Sequence, residues 1–444
     1  MDWQISSEDI VRVARALIRI RSVREAPQPG APFGTGVRQA FNAFRSSAEG
    51  MGLTAVRDYD GYAIEVEIGQ GEEILAVLVH LDTVPEGDGW TVSPLAGIVE
   101  HGRLFGRGAI DDKGPAAAAL CALAAVASQG PPLRRRVRLI AGGDEESYWQ
   151  CMEHYLQHAE RPTLGFTPDS EFPLIHGEKG GLTLRIERDP RAPQRYLMEA
   201  GQQSNVVPDR ARLEFAQKLP AAFVVERARE LGVQVVPDDN DPQRSFEVLG
   251  AGAHGSVPEL GTNAVREAVR LFGDQLADPL LELLTSDTDG QSLGIWREDP
   301  DLGGLTLNLG IVNHDATGTR VWLDIRYPHG VQGDEIAKIV AERVRPLGAR
   351  VVKEFDAPVH WVPPEDPLVQ RLLTVYRSRT GDSTAPGTMG GLTYARTLGH
   401  AVAFGPQFPG RPETAHQADE HVFVEDLVRA AQIYADAIVE LAAR

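Results

Sequence analysis

Apolar positions along the first third of the chain switch between two periods. In the opening "MDWQISSEDIVRVARALIRIRSV", Ile10, Val11, Val13, Leu17 and Ile18 recur at helical spacing and predict an amphipathic helix. "YAIEVEIG" then alternates apolar and polar residues, as a half-buried strand does. "EILAVLVH" is an unbroken apolar run of the kind found in a parallel strand covered on both faces. Pro115–Gln129 is alanine-rich with proline in its first turn, which predicts a helix. "RVRLIAGG" predicts another buried strand and "DEESYWQCMEHYLQHA" another helix, while "REAPQPGAPFGTG" reads as a surface loop. This strand–helix rhythm predicts an α/β domain with a mainly parallel sheet.

From about Gly180 to Phe355 the period changes. "GLTLRIERD", "RARLEFAQ", "SFEVLGAGAHG", "LTLNLGIVNHD" and "TRVWLDIRYP" are short alternating strands, with helical patterns at Ala221–Leu231, Asn263–Leu271 and Gly333–Arg343. Such a mixture predicts an α+β domain on an antiparallel sheet. Longer helices return at Pro367–Thr380 and Val424–Ala443, around the buried-looking "AVAFG". The simplest organisation is one α/β domain (residues 1–179 and 358–444) interrupted by an inserted α+β domain (180–357).

A chain of 444 residues exceeds the size at which a single core keeps growing, in keeping with two domains. No run of 18 uncharged apolar residues exists, so no membrane span is expected. A net charge of −19 argues against nucleic acid, because a phosphate binder needs a basic face. Two cysteines, Cys121 and Cys151, make no disulfide framework, and the N-terminus lacks the basic region and small-residue site of a signal peptide. A reduced, cytoplasmic setting is the expectation.

Candidate chemistry clusters at five places where a sheet's carboxyl ends bind ligands. "LVHLDTVPEGDGW" ends a strand in His80 and Asp82, which the two-residue period of a strand can bring to one side. "GRGAIDDKGP" sets Asp111 and Asp112 before a helix, "GGDEES" delivers Asp144, Glu145 and Glu146, "GFTPDSEFP" holds Asp169, and "GRPETAHQADEH" holds His416. Each alone is equally explained by helix capping, a solvated turn or a surface loop. Together, His80, Asp111, Glu146, Asp169 and His416 are nitrogen and oxygen donors without cysteine, a set suited to Zn²⁺ or a neighbouring first-row ion rather than an all-oxygen Ca²⁺ site. Charge balance favours two divalent ions, since Asp111, Glu146, Asp169 and a hydroxide would match them. Glu145 then stays free to act as general base.

The segments "VHLDTVPEGDGW", "GRGAIDDKGP", "GDEESYW", "FTPDSEFP", "GGLTYAR" and "AHQADE" occur in the order seen in the ArgE/DapE family of co-catalytic metallopeptidases. The chain most resembles that family's PepV-type dipeptidases. The resemblance implies a zinc-peptidase catalytic domain with an inserted α+β lid, acting on dipeptides or short peptides. It implies two divalent metal ions, Zn²⁺ with Mn²⁺ or Co²⁺ as alternatives. Asp111 matches the bridging ligand, His80 and Asp169 complete one metal, and Glu146 and His416 the other. Glu145 matches the general base, Asp82 the residue that steadies His80, and the Asp111–Asp112 peptide is expected to be cis. In the lid, His254 matches the histidine that stabilises the oxyanion, and Asn205 and Arg326 match groups that hold substrate. Tyr394 and Arg396 lie in the segment expected to bind the substrate's carboxylate, with Leu392 where close relatives often have Gly. An aspartate at position 169 is typical of members acting on dipeptides or aminopeptides, where carboxypeptidases and deacylases tend to have glutamate. The alternatives are an N-acyl-amino-acid or succinyl-diaminopimelate deacylase, or a non-catalytic metal- or peptide-binding protein on the same scaffold. Monomer and homodimer both fit, with the lid histidine expected from the same chain.

Overall fold

The computed structural model describes residues 2–190 and 192–443, which divide into two compact units. The first comprises residues up to Gly177, Trp361–Gly387 and the chain from Thr393 onward, and the second Glu178–His360 with Thr388–Leu392.

In the first unit the apolar run Ile74–His80 is a strand buried at every position. It lies mid-sheet, parallel to Arg136–Gly142 on one side and to Leu164–Thr167 on the other. Ala401–Ala403 extends this parallel core beyond Leu164–Thr167. Antiparallel strands flank it: Ala63–Gly69 and Val56–Tyr59 beyond Arg136–Gly142, and Ile175–Glu178 beyond Ala401–Ala403. The alanine-rich helix Lys113–Gln129 is buried almost all round, packing on Ser7–Ile18, on Val424–Ala442 and on the sheet. Alanine suits that position because it costs little side-chain entropy and lets neighbouring backbones approach. Cys121 and Cys151 are free and buried.

Two local expectations differ from the structure. The segment read as a helix from Asp144 begins its helix only at Gln150, because Asp144 accepts the N–H of Gln150 (3.0 Å) from outside and Trp149 takes a left-handed conformation (φ 58°). Thr35–Gly50, not anticipated, is a helix that buries Val37, Phe41 and Phe44.

Gly142 closes the strand leading to the acidic turn. A Cβ there would lie 2.7 Å from Cε2 of the buried Tyr394 ring. Gly142→Ala is therefore expected to lower stability by about 1–3 kcal/mol through overpacking, read as a drop in Tm; an unchanged Tm would mean the ring yields freely.

The second unit is an eight-stranded sheet in the order Gln234–Pro237, Ser245–Leu249, Arg210–Phe215, Tyr196–Ala200, Thr306–Asp315, Gly318–Tyr327, Gly180–Arg188, Ala349–Ala357. Every neighbouring pair is antiparallel. Burial alternates along its strands, as in Arg210–Phe215, and the helices Ala221–Leu231, Ala264–Leu276 and Gly333–Val344 join its separate core. Among the described residues no helix is long and apolar enough to cross a membrane.

Candidate metal centre

Three parallel strands end on one edge of the first sheet and deliver the site. Ile74–His80 supplies His80, Arg136–Gly142 leads into Asp144, Glu145 and Glu146, and Leu164–Thr167 leads to Asp169. Asp111 precedes the buried helix Lys113–Gln129, and the Asp111–Asp112 peptide is cis. His416 comes from a tight loop near the C-terminus in which it adopts φ 63°. For residues other than glycine such left-handed conformations cost of order 1–3 kcal/mol and gather at functional sites.

Asp111 is the hub. Its Oδ1 lies 2.8 Å from Nε2 of His80, and its Oδ2 lies 2.9 Å from Nε2 of His416. His416 Nε2 is also 3.0 Å from Glu146 Oε1, and His80 Nε2 is 3.8 Å from Asp169 Oδ1. The ligand-capable atoms of His80, Asp111 and Glu146 fall within 4.8 Å of one another, and so do those of His80, Asp112 and Asp169. Asp112 is a member that sequence reasoning passed over. Its Oδ2 accepts the backbone N–H of His80 (3.1 Å), while Oδ1 is buried without a partner among the described residues.

The three acids of "GGDEES" divide their work. Asp144 is buried against Arg24 (2.7 Å) and holds the start of helix Gln150–His158, so it faces away from the cluster. Glu145 and Glu146 both donate backbone N–H bonds to the carboxylate of Asp82, each at 3.1 Å. Asp82 therefore acts mainly on that turn. The His80 ring is held at Nδ1 by the main-chain carbonyl of Asp82 (3.0 Å), with the carboxylate farther away at 3.5 Å. Trp149 donates its indole N–H to the carbonyl of Glu145 (2.6 Å), which pins the Glu145 backbone from the other end.

The electrostatics are those of a site crowded with negative charge. Burial, then the charge of Asp169, pushes the Glu145 carboxyl well above its ordinary range, and the same two causes raise Asp112. Burial raises Asp169 to about 7 against the pull of His80. Burial opposes protonation of both imidazoles, yet the surrounding carboxylates win and push His80 and His416 well above the usual histidine value. Asp111 goes the other way, because hydrogen bonds from His416 and His80 outweigh its burial. Glu145 Oε1 and Asp112 Oδ1 are buried polar atoms without a hydrogen-bond partner among the described residues, which is costly unless something compensates them. Divalent cations fit this donor set, because they relieve the carboxylate repulsion and take up the imidazole lone pairs.

The remaining predicted residues are placed as follows. Tyr394 is fully buried, with its hydroxyl 2.8 Å from Cys151 Sγ, so its side chain packs the core and is not offered to a substrate carboxylate; the large aromatic ring fills the space above Gly142. Arg396 stacks over the Trp149 ring at 5.8 Å. His254, Asn205 and Arg326 belong to the second unit. There Asn205 accepts the N–H of Gly255 (2.6 Å), next to His254, whose Nδ1 lies 2.6 Å from Ser256 Oγ. Asn308 donates to the carbonyls on both sides of Asn205, Ser204 (2.8 Å) and Val206 (3.0 Å). Arg326 is nearly buried and contacts the buried Asp324 through Nε and Nη2 at 3.0–3.1 Å, with Nη1 on the Gly390 carbonyl. Asn308 was not legible beforehand, because its partners Ser204 and Val206 lie 104 and 102 residues away in the chain; Asp324, two residues from Arg326, was passed over.

Relatives support a common ancestry over the whole length. "Putative dipeptidase YtjP" of Bacillus subtilis is 36% identical over 470 residues, covering 100% of both chains. "Putative dipeptidase MW1694" of Staphylococcus aureus is 32% identical over 456 residues, covering 98% of this chain and 97% of its own. Solved structures of the dipeptidase Dug1p from Saccharomyces cerevisiae (TM-score 0.62, 14% identity, 98% of each chain) and of human carnosine dipeptidase 1 (TM-score 0.61, 15% identity, 98% of this chain and 96% of that one) share the fold. The sequence profile of peptidase family M20/M25/M40 matches residues 76–440, and on that match the chain belongs to this family.

Proposed function

We propose that the chain hydrolyses the amide bond of dipeptides with the help of two divalent metal ions. The observation that carries this reading is the Asp111 carboxylate, which turns one oxygen to each of two imidazoles. His80, Asp111 and Asp169 would hold one ion and Asp111, Glu146 and His416 the other. Bound there, the ions would polarise the scissile carbonyl and lower the pKa of a water.

The chain's own residues supply the rest. Glu145 takes a proton from the attacking water at its buried carboxylate and passes it to the leaving amine nitrogen. Asp82 holds Glu145 and Glu146 in register through their backbone N–H groups. We assign residues 180–357 to a lid whose His254 donates a hydrogen bond to the developing oxyanion. Asn205, Arg326 and Arg396 are assigned to the ends of the substrate. An aspartate at position 169 supports a peptide substrate over an N-acyl amino acid, and the names of the sequence relatives support a dipeptide over a longer peptide.

Turnover of Ala-Ala, β-Ala-His and N-acetyl amino acids, before and after chelation, tests this reading. Chelated protein is expected to fall to background on every substrate, and Zn²⁺, Mn²⁺ or Co²⁺ to restore cleavage of the dipeptides ahead of the N-acetyl compounds. Full activity after exhaustive chelation would end the metal reading. Preference for N-acetyl substrates would end the dipeptide reading and leave the metal chemistry standing.

A further inference from the structure

Glu420 lies four residues beyond His416 and is completely buried. Its carboxylate faces two ways. Oε2 pairs with Arg107 Nη1 at 2.6 Å, while Oε1 accepts the backbone N–H groups of Ile110 (3.0 Å) and of Asp111 itself (3.3 Å). The Glu420 carbonyl also accepts the N–H of Gly106 (2.9 Å). Arg107, 3% exposed, continues the chain of contacts by donating to the Glu86 carbonyl (2.9 Å) and lying over the Trp90 ring at 5.2 Å. The loop that carries His416 is closed on itself nearby, where Thr414 Oγ1 donates to the His421 carbonyl (2.9 Å). One buried side chain thus ties the loop bearing His416 to the segment bearing Asp111, more than 300 residues apart in the chain.

We infer that Glu420 is a positioning residue that sets the spacing between Asp111 and His416 and so completes the second metal position. The inference rests on the proposed ligand roles of those two residues. Charge-assisted hydrogen bonds from backbone N–H groups to a buried carboxylate are strong and directional. Groups that orient ligands in this way commonly govern metal affinity. Glutamine has the same volume as glutamate but one acceptor oxygen and one NH₂ in place of two oxygens. Whichever way its amide turns in Glu420→Gln, either Arg107 or the Ile110–Asp111 amides meet a donor instead of an acceptor.

The test is calorimetric titration of Zn²⁺ into metal-stripped wild type and Glu420→Gln, with circular dichroism and thermal melting on both. Wild type is expected to take two ions. Glu420→Gln is expected to keep one at wild-type affinity and to bind the other about 10- to 100-fold more weakly. Two ions at wild-type affinities, with or without a lower Tm, would overturn the inference and leave the ligand assignment intact. Wild type that binds no ion would remove the ligand assignment and the inference with it. If Glu420→Gln does not fold, Arg107→Gln breaks the same ion pair from its other end and is read identically. If that variant does not fold either, Glu420 serves folding rather than the metal position and the inference falls.

Discussion

Glu145→Gln is expected to leave the protein folded and able to bind two metal ions, yet to lower kcat by about 10²- to 10⁴-fold. The Glu145 backbone is pinned independently of its side chain: its N–H sits on Asp82 Oδ1 at 3.1 Å, and its carbonyl takes the Trp149 indole N–H at 2.6 Å. Its side chain makes no structural bond through Oε1, which is buried and without a partner among the described residues. A glutamine of equal shape therefore disturbs little of the fold, and removal of one buried negative charge eases the repulsion with Asp169 and Glu146. What glutamine cannot do is accept a proton. An effect confined to kcat, with KM near wild type, is the signature of a group that acts in the transition state only. Steady-state kinetics with metal content measured on the same samples decides the matter; turnover near wild type in a metal-replete Glu145→Gln sample would remove Glu145 from the base role.

How much of this was legible beforehand follows from the range of the interactions involved. The strand Ile74–His80 could be read from its unbroken apolar run, because a parallel strand covered on both faces has no polar side to show. That His80, Asp111, Glu146 and His416 meet could be anticipated from chemistry, since together they form a nitrogen and oxygen donor set, two of them following apolar strands and two in glycine-containing turns. The division of labour among the acids could not. Asp82 reads as a partner of His80 two residues away and lies 3.5 Å from its Nδ1, but its carboxylate also accepts amides 63 and 64 residues downstream. Glu420 stood in plain view inside "AHQADEH", yet nothing local says that its carboxylate reaches Ile110 and Asp111. Tyr394 failed in the same way. A tyrosine in a Gly-rich segment looks accessible until the sheet brings Gly142 beneath its ring and Cys151 to its hydroxyl. Local pattern identifies which residues are expensive to bury, and only the fold says what compensates each of them.

Asp111→Asn is expected to abolish activity by a different route, namely loss of the metal site itself. Asp111 offers Oδ1 toward His80 and Oδ2 toward His416, so both halves of the proposed centre depend on one carboxylate. Asparagine keeps the size and one oxygen but presents an NH₂ in place of the other, and an amide NH₂ is no metal ligand. The replacement also removes one of the negative charges that balance the cations. Asp112 does not replace it between the two imidazoles, since its ligand-capable atoms group with His80 and Asp169 and its Oδ2 already accepts the His80 backbone N–H. Metal content is therefore expected to drop from two ions to one or none, and turnover to the level of chelated wild type. Paired with Glu145→Gln, the variant separates assembly from chemistry: one should hold both ions and fail at proton transfer, the other should fail to hold them. Two ions bound to Asp111→Asn at wild-type affinity would mean that Asp111 is not shared, and the centre would have to be rebuilt around the second group of ligand atoms, His80, Asp112 and Asp169.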